Sequence, residues 1–326
     1  MTDLDVRSER DRAGSQLTVS PVVGQLATPR GKPLRDLWDE HAIEWITWVR
    51  APGHPDSYWR FHRKHFLSLV PVPGRLTLDI GCGEGRVGRD LQEAGHRVVG
   101  IDWSLTMCKA AATYPDERAR FIAGDAAQLP LADGSADCVI AFMSLQDIDD
   151  MPGAIDEMAR VLEDGKKLAL AIVHPMYSYS SGRLSAANVS ASDPVITRSY
   201  FQPELCVSQD GQDGLTVTFF REHRPLESYV QTLITAGFSI EELHEVTEED
   251  QDDPRHRIPM FLDVLAIRRP REKKSAEVEI EAEPEEKAAP APRLKKFRFV
   301  LTMSTGILVG VGAVVTVVAI AFFAPH

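Results

Sequence analysis

The chain has 326 residues, 44% of them hydrophobic, which is enough to bury a substantial core and sits between one large domain and two small ones. A net charge of -12 argues against nucleic-acid phosphate as the main partner. The four cysteines, Cys82, Cys108, Cys138 and Cys206, show no C-x-x-C pair and no His/Cys ligand spacing, so reduced thiols in a cytoplasmic setting and no metal site are expected.

Residues 1–33 are polar, carry Pro21, Pro29 and Pro33, and lack the apolar core of a secretory signal, so they read as a disordered arm. From Leu34 to Arg50 the spacing of Leu34, Leu37, Trp38, Ile43, Trp45, Ile46 and Trp48 predicts an amphipathic helix. A Pro-rich break follows at 52–55, then a second helix over 56–69 that ends before Pro71. Trp45, Trp48, Tyr58 and Trp59 read either as packing against a sheet or as a hydrophobic lid that excludes water and faces a cation. His62 and His65 share a helix face without an acid or cysteine in register, so both are expected to face solvent.

Residues 76–86, an apolar run through Asp79 into Gly81, Cys82, Gly83 and Gly85, read as a buried strand turning sharply into a helix. Bare backbone at a helix N-terminus suits a bulky, partly anionic cofactor. The same stretch fits G-x-G-x-x-G at Gly83, Gly85 and Gly88, so a dinucleotide site competes, and a ligand-free glycine turn is the plainest alternative. Residues 97–102 form a second strand ending in Asp102, whose two oxygens can accept both hydroxyls of a ribose. Ser104 caps a helix to Ala111. A third strand runs to Asp125 and Ala126, a turn occupies 129–134, and a fourth strand runs from Asp137 to Phe142. Asp79, Asp102 and Asp125 thus end successive strands and would line one crevice of an open parallel sheet.

A helix around 156–162 leads to a fifth strand over 167–173. Residues 176–214, rich in Ser, Tyr, Asn, Asp and Gly, read as an inserted loop region on the substrate side. A short strand over 215–220, a helix over 225–236 closed by Gly237, and strands over 238–245 and 261–267 follow. Residues 270–298 are a charged linker ending in a basic cluster, Arg293 to Arg298. Residues 299–324 carry no charge and exceed the roughly 20 residues that cross a bilayer core, so they read as a single C-terminal membrane anchor. The basic cluster before it places the rest of the chain in the cytoplasm. Gly306 and Gly310 offer a helix-pairing face for a homodimer.

Residues 34–269 resemble class I S-adenosylmethionine-dependent methyltransferases, of the branch that methylates small molecules and quinone precursors. The likeness rests on Asp79-x-Gly81-x-Gly83, on Asp102, on Gly124-Asp125-Ala126, on the run from Leu129-Pro130 to Asp137, and on residues 156–166. Leu131 and Ala136 stand where the family often has Phe, and Lys166 replaces a second glycine. The resemblance implies a doubly wound, mostly parallel seven-stranded α/β sheet of Rossmann-like type. It implies S-adenosyl-L-methionine as cofactor, held by Asp79, Gly81, Cys82, Gly83, Asp102, Trp103, Asp125, Ala126 and Phe142. Asp102 would take the ribose, Asp125 the adenine amine, and Trp103 the adenine face.

Methyl transfer from a sulfonium needs positioning and desolvation more than acid–base work, so the lack of a Ser/His/Asp or metal constellation is no objection. An enol or phenol acceptor would still need a base. His174, after strand five, and Asp147, after strand four, are the catalytic candidates; helix capping for Asp147, Asp149 and Asp150, and a loop hydrogen bond for His174, are the structural readings. Tyr177 and Tyr179 could line an acceptor pocket, His223 is a further candidate, and one of Glu84, Arg86 and Arg89 could meet the donor's carboxylate. The expected protein is a membrane-tethered methyltransferase of a small, lipophilic acceptor. A non-catalytic membrane adaptor and an NAD(P)-dependent oxidoreductase are the alternatives.

Overall fold

The computed structural model describes residues 31–52, 56–114, 119–180, 199–212, 214–249 and 254–270. The arm up to residue 30, the linker from 271, the apolar run 299–324 and its Gly306 and Gly310 lie outside them. Among the described residues no helix is long and apolar enough to cross a membrane.

Seven strands form one sheet: β1 (Thr77–Ile80), β2 (Val98–Asp102), β3 (Ala119–Ala123), β4 (Ala136–Phe142), β5 (Leu162–Val173), β8 (Phe238–Val246) and β9 (Phe261–Arg268). Their order is β3-β2-β1-β4-β5-β9-β8. The first five run parallel, and β9 is antiparallel to both neighbours. That reversed strand separates the sheet from the all-parallel six-stranded order of dinucleotide-binding folds. The central strands β1, β4 and β9 are buried along nearly their whole length because helices cover both faces of the sheet. On one side Met151, Ile155 and Met158 of α6 (Met151–Val161) and Tyr229 and Leu233 of α8 (Leu226–Thr235) meet Leu78, Ile80, Leu168 and Leu170. On the other, Phe66 of α3 (Arg63–Leu69) and Val87 and Leu91 of α4 (Arg86–Glu93) meet Val98, Ile140 and Ala169.

The remaining helices are short. Ser104 caps α5 (Leu105–Ala111) by accepting from Met107 N–H at 3.3 Å. Gly237, with φ +92°, closes α8. The helix expected over 34–50 is two, α1 (Leu34–Glu40) and α2 (Ala42–Val49), turning at His41, whose ring is 2.9 Å from the Leu37 carbonyl. The predicted loop 176–214 is only partly loop. It holds α7 (Pro175–Ser180) and β6 (Glu204–Gln212), which pairs with β7 (Leu215–His223) as a separate antiparallel hairpin. Strand β5 starts at Leu162, five residues early: Leu162 pairs with Ala136 and Lys167 with Cys138, and the residues between bulge out through Gly165 at φ +76°.

His62 departs from its expected place at the surface. It ends a π-helical turn, Tyr58–His62, ahead of α3, and is 1% exposed. Its Nε2 is 2.7 Å from Oδ1 of the fully buried Asp263, and its ring stacks on Phe261 at 4.3 Å. His65 is exposed.

Candidate active site

The carboxyl ends of β1, β2 and β4, the turn after β3, the N-terminal helices and β7 enclose a cavity of about 580 Å³. That is within the ordinary range for a small-molecule site. All nine residues expected to hold the cofactor line it: Asp79, Gly81, Cys82, Gly83, Asp102, Trp103, Asp125, Ala126 and Phe142.

The glycine loop takes its shape from positive φ at Gly81, Gly83 and Gly85. At Gly81 a Cβ would collide with Ser144, so glycine there lets the first loop abut the turn after β4. At Gly83 the only atom near a hypothetical Cβ is Trp45 Nε1 at 3.7 Å, which leaves a cradle of bare backbone under the indole. Asp102 secures the loop: Oδ2 accepts from Gly83 N–H at 2.8 Å and Oδ1 from Ser104 N–H at 2.9 Å. Each oxygen keeps a lone pair for a further donor. Burial raises the Asp102 carboxyl above its usual value, against those two hydrogen bonds. Asp79 is 1% exposed, and burial, with the Asp102 charge added, pushes it up to about 7. Its Oδ2 has no hydrogen-bond partner among the described residues. Asp125 accepts from Ala127 N–H at 2.9 Å and stands 3.7 Å from Arg35, whose guanidinium lies 4.5 Å from the Trp103 ring centre.

The N-terminal helices roof the cavity. Arg50, at the end of α2, donates to Glu84 at 2.7 Å and to the Ala110 carbonyl at 2.8 Å. Glu84, 2% exposed, also accepts from Arg89 at 2.6 Å; Glu84 lines the cavity and Arg89 does not. Arg86 does line the cavity, paired with Asp56 at 2.5 Å and stacked against Tyr58 at 4.5 Å. Trp38 Nε1 donates to the Phe220 carbonyl at 3.0 Å, tying α1 to β7.

The two catalytic candidates part company. Asp147 lines the cavity, and burial raises its carboxyl well above the usual range although Arg221 and Arg224 pull it down. His174 does not line it. Its Nδ1 accepts from Met176 N–H at 3.1 Å at the start of α7, and burial lowers its basicity despite Glu245 at 3.1 Å. Tyr177 lines the cavity, while the Tyr179 side chain lies outside the description. His223 binds Ser178 Oγ and the Tyr200 carbonyl, away from the cavity. Asp150 caps α6 through Gly153 N–H at 3.0 Å, and Asp149 caps α1 through Leu34 N–H at 2.7 Å. Sequence reasoning passed over Gln146, beside Asp147 on the cavity wall, and Arg221 on β7. Proximity to Asp147 was the available signal for the first; the second needed the hairpin.

Residues 78–170 match a family described as Methyltransferase domain. A demethylmenaquinone methyltransferase of Renibacterium salmoninarum is 38% identical over 146 residues, 41% of this chain and 61% of that protein. A malonyl-(acyl-carrier protein) O-methyltransferase of Pectobacterium atrosepticum is 33% identical over 126 residues, 37% of this chain and 49% of that protein. The chain thus spans about half to three-fifths of the length of these relatives. An S-adenosylmethionine dependent methyltransferase from Mesorhizobium loti shares the fold at a TM-score of 0.50 and 24% identity, covering 65% of this chain and 98% of that one. Residues 78–170 are thus similar to a methyltransferase domain, and the sheet that carries them has the fold of an S-adenosylmethionine dependent methyltransferase.

Proposed function

We propose that this chain transfers a methyl group from S-adenosyl-L-methionine to a small, largely apolar acceptor. The observation that carries the reading is the convergence of Asp79, Asp102 and Asp125 with the glycine loop on one roofed cavity. The residues fit the cofactor on two counts. Gly83 leaves a cradle that a side chain would fill, and Asp79 holds a buried carboxyl oxygen without a partner among the described residues, suited to a cationic ligand.

When bound, the cofactor supplies a methyl on a positive sulfur that departs as a neutral thioether. Asp102 would hold the ribose hydroxyls with its remaining lone pairs, Asp125 the adenine amine, and Arg86 the carboxylate. Trp45, Tyr58 and Phe142 line the cavity with aromatic faces and keep out water, which strengthens attraction to a sulfonium. Asp147 is our choice over His174 for a base, because it alone of the two faces the cavity and burial raises its basicity.

The names of the relatives support an acceptor of the demethylmenaquinone or malonyl-(acyl-carrier protein) kind. The uncharged run 299–324 and the basic cluster before it support a single membrane span, with the domain on the cytoplasmic side and Gly306 and Gly310 as a pairing face. Calorimetry tests the cofactor: the parent takes up S-adenosylmethionine, and Asp102→Ala weakens uptake by at least about tenfold, the loss of a charged hydrogen-bonding group. Mass spectrometry of membrane and soluble extracts incubated with isotopically labelled donor then identifies the acceptor. A parent protein that binds no donor, or labels nothing, refutes the proposal.

A further inference from the structure

The turn after β4 is held in an unusual conformation at the cavity wall. Met143, with φ +56°, is the one non-glycine residue with positive φ among the described residues. Such backbone strain persists only where surrounding contacts enforce it. Here they do. Met143 N–H donates to the Ala171 carbonyl at 2.8 Å, and Ser144 Oγ donates to the Ile80 carbonyl at 2.6 Å. Arg224 donates to the Leu145 and Ile148 carbonyls at 3.0 and 2.8 Å. Every one of these contacts fixes backbone or Ser144, and together they hold the turn that carries Gln146.

Gln146 is 4% exposed and lines the cavity. The orientation of its amide follows from its neighbours. One end lies 2.5 Å from the Met143 carbonyl and 3.5 Å from Asp147 Oδ2. Both are acceptors, so that end is the NH2 group. The other end, Oε1, is buried and has no hydrogen-bond partner among the described residues. A rigid turn therefore presents an acceptor oxygen, without a donor, beside the candidate base.

Building on the proposed methyl transfer, we propose that Gln146 Oε1 reads the acceptor: the molecule methylated presents a hydroxyl or N–H donor on an apolar body, and this oxygen receives it. Phe142, Phe261 and Tyr177 flank the body. An ether or ketone at the same place brings lone pair against lone pair and is rejected. A site built to hydrogen-bond a donor discriminates strongly against the analogue that lacks it, because its own buried group is left unpaired.

The test uses the full chain in one detergent and two probes built on the same apolar ring, 1-naphthol and 1-methoxynaphthalene. Binding is followed by tryptophan fluorescence, with and without saturating S-adenosylhomocysteine. The parent binds 1-naphthol at least about tenfold more tightly than the methoxy compound. Gln146→Met removes the preference by weakening naphthol binding alone, and Gln146→Glu retains it at a pH where its carboxyl is protonated, because the acid O–H then donates to the Met143 carbonyl in place of the NH2 and leaves the other oxygen as acceptor. Thermal unfolding confirms that each variant is folded, and the Glu variant decides the matter if the Met variant is not. A preference that survives in Gln146→Met or vanishes in Gln146→Glu overturns the assignment. So does a parent that binds the probes equally or binds neither. A parent that discriminates the probes but takes up no S-adenosylhomocysteine refutes methyl transfer while leaving Gln146 as a donor-reading residue.

Discussion

Asp79 has two jobs that pull against each other. It lies under the glycine loop where a cationic ligand would sit, and before that ligand arrives it is a carboxyl with little solvent. Burial first, and the Asp102 charge second, hold it at about 7 against a usual value of 3.8. The sign follows. Between about pH 4 and 7 the folded protein keeps a proton that the unfolded chain has lost, so the contribution of Asp79 to stability is full below that window and is lost as pH rises through it. Three pH units correspond to a change on the order of 4 kcal/mol. Urea unfolding at pH 4.5 and pH 7.5 should show a smaller loss of stability in Asp79→Asn than in the parent. An equal loss in both proteins would remove Asp79 as the source. A ligand with a positive sulfur and ammonium favours the ionised form, so donor affinity should climb by up to about tenfold per pH unit below neutrality in the parent. In the Asn variant that slope should flatten.

At the scale of elements, the roof over the cavity is a set of short helices that little else would hold in place. Helices of seven and eight residues are marginal alone, so their order comes from what they grip. Arg50 is the principal grip of α2 on the cofactor loop. Arg50→Ala should cost about 1–3 kcal/mol, the range for hydrogen bonds to a charged group. It should also raise amide exchange over residues 42–49 and speed donor release; unchanged exchange there would mean that packing alone seats the helix. The sequence revealed the first three strands well because each is an apolar run ending at an acid or glycine, and that pattern is local. It revealed the roof poorly. No glycine or proline marks the turn at His41. Strand β6 hides among Ser208, Gln209, Asp210 and Gly211, since a hairpin standing apart from the sheet needs only Leu205 and Val207 turned inward. His62 was misplaced for a similar reason: its partner Asp263 is 201 residues away, and only the packing of the π turn against β9 brings them together. The residues expected at the cofactor do line the cavity, a placement that could be read from the sequence because most of them stand at strand ends. Gln146 could not be read so, because its meaning lies in an amide orientation set by the Met143 carbonyl.

On the scale of the whole chain, the proposal joins two kinds of sequence that share no residues: a folded catalytic domain and an uncharged run. At 1.5 Å per residue a helix over residues 299–324 would be about 39 Å long, more than the roughly 30 Å hydrocarbon layer, which allows a tilted span. Donor binding as proposed draws on residues between Trp45 and Phe142, and none of them belongs to that segment. What such a span would change is encounter: an acceptor dissolved in the same bilayer would be met at high effective concentration rather than from dilute solution. Deleting residues 293–326 should therefore leave donor affinity within about twofold of the parent, while the protein no longer sediments with anionic vesicles. Methylation of an acceptor carried in those vesicles should fall by at least about tenfold at low lipid, and methylation of a water-soluble analogue should not change. Equal turnover of the vesicle-borne acceptor by the two proteins would show that the run does not serve catalysis at a membrane.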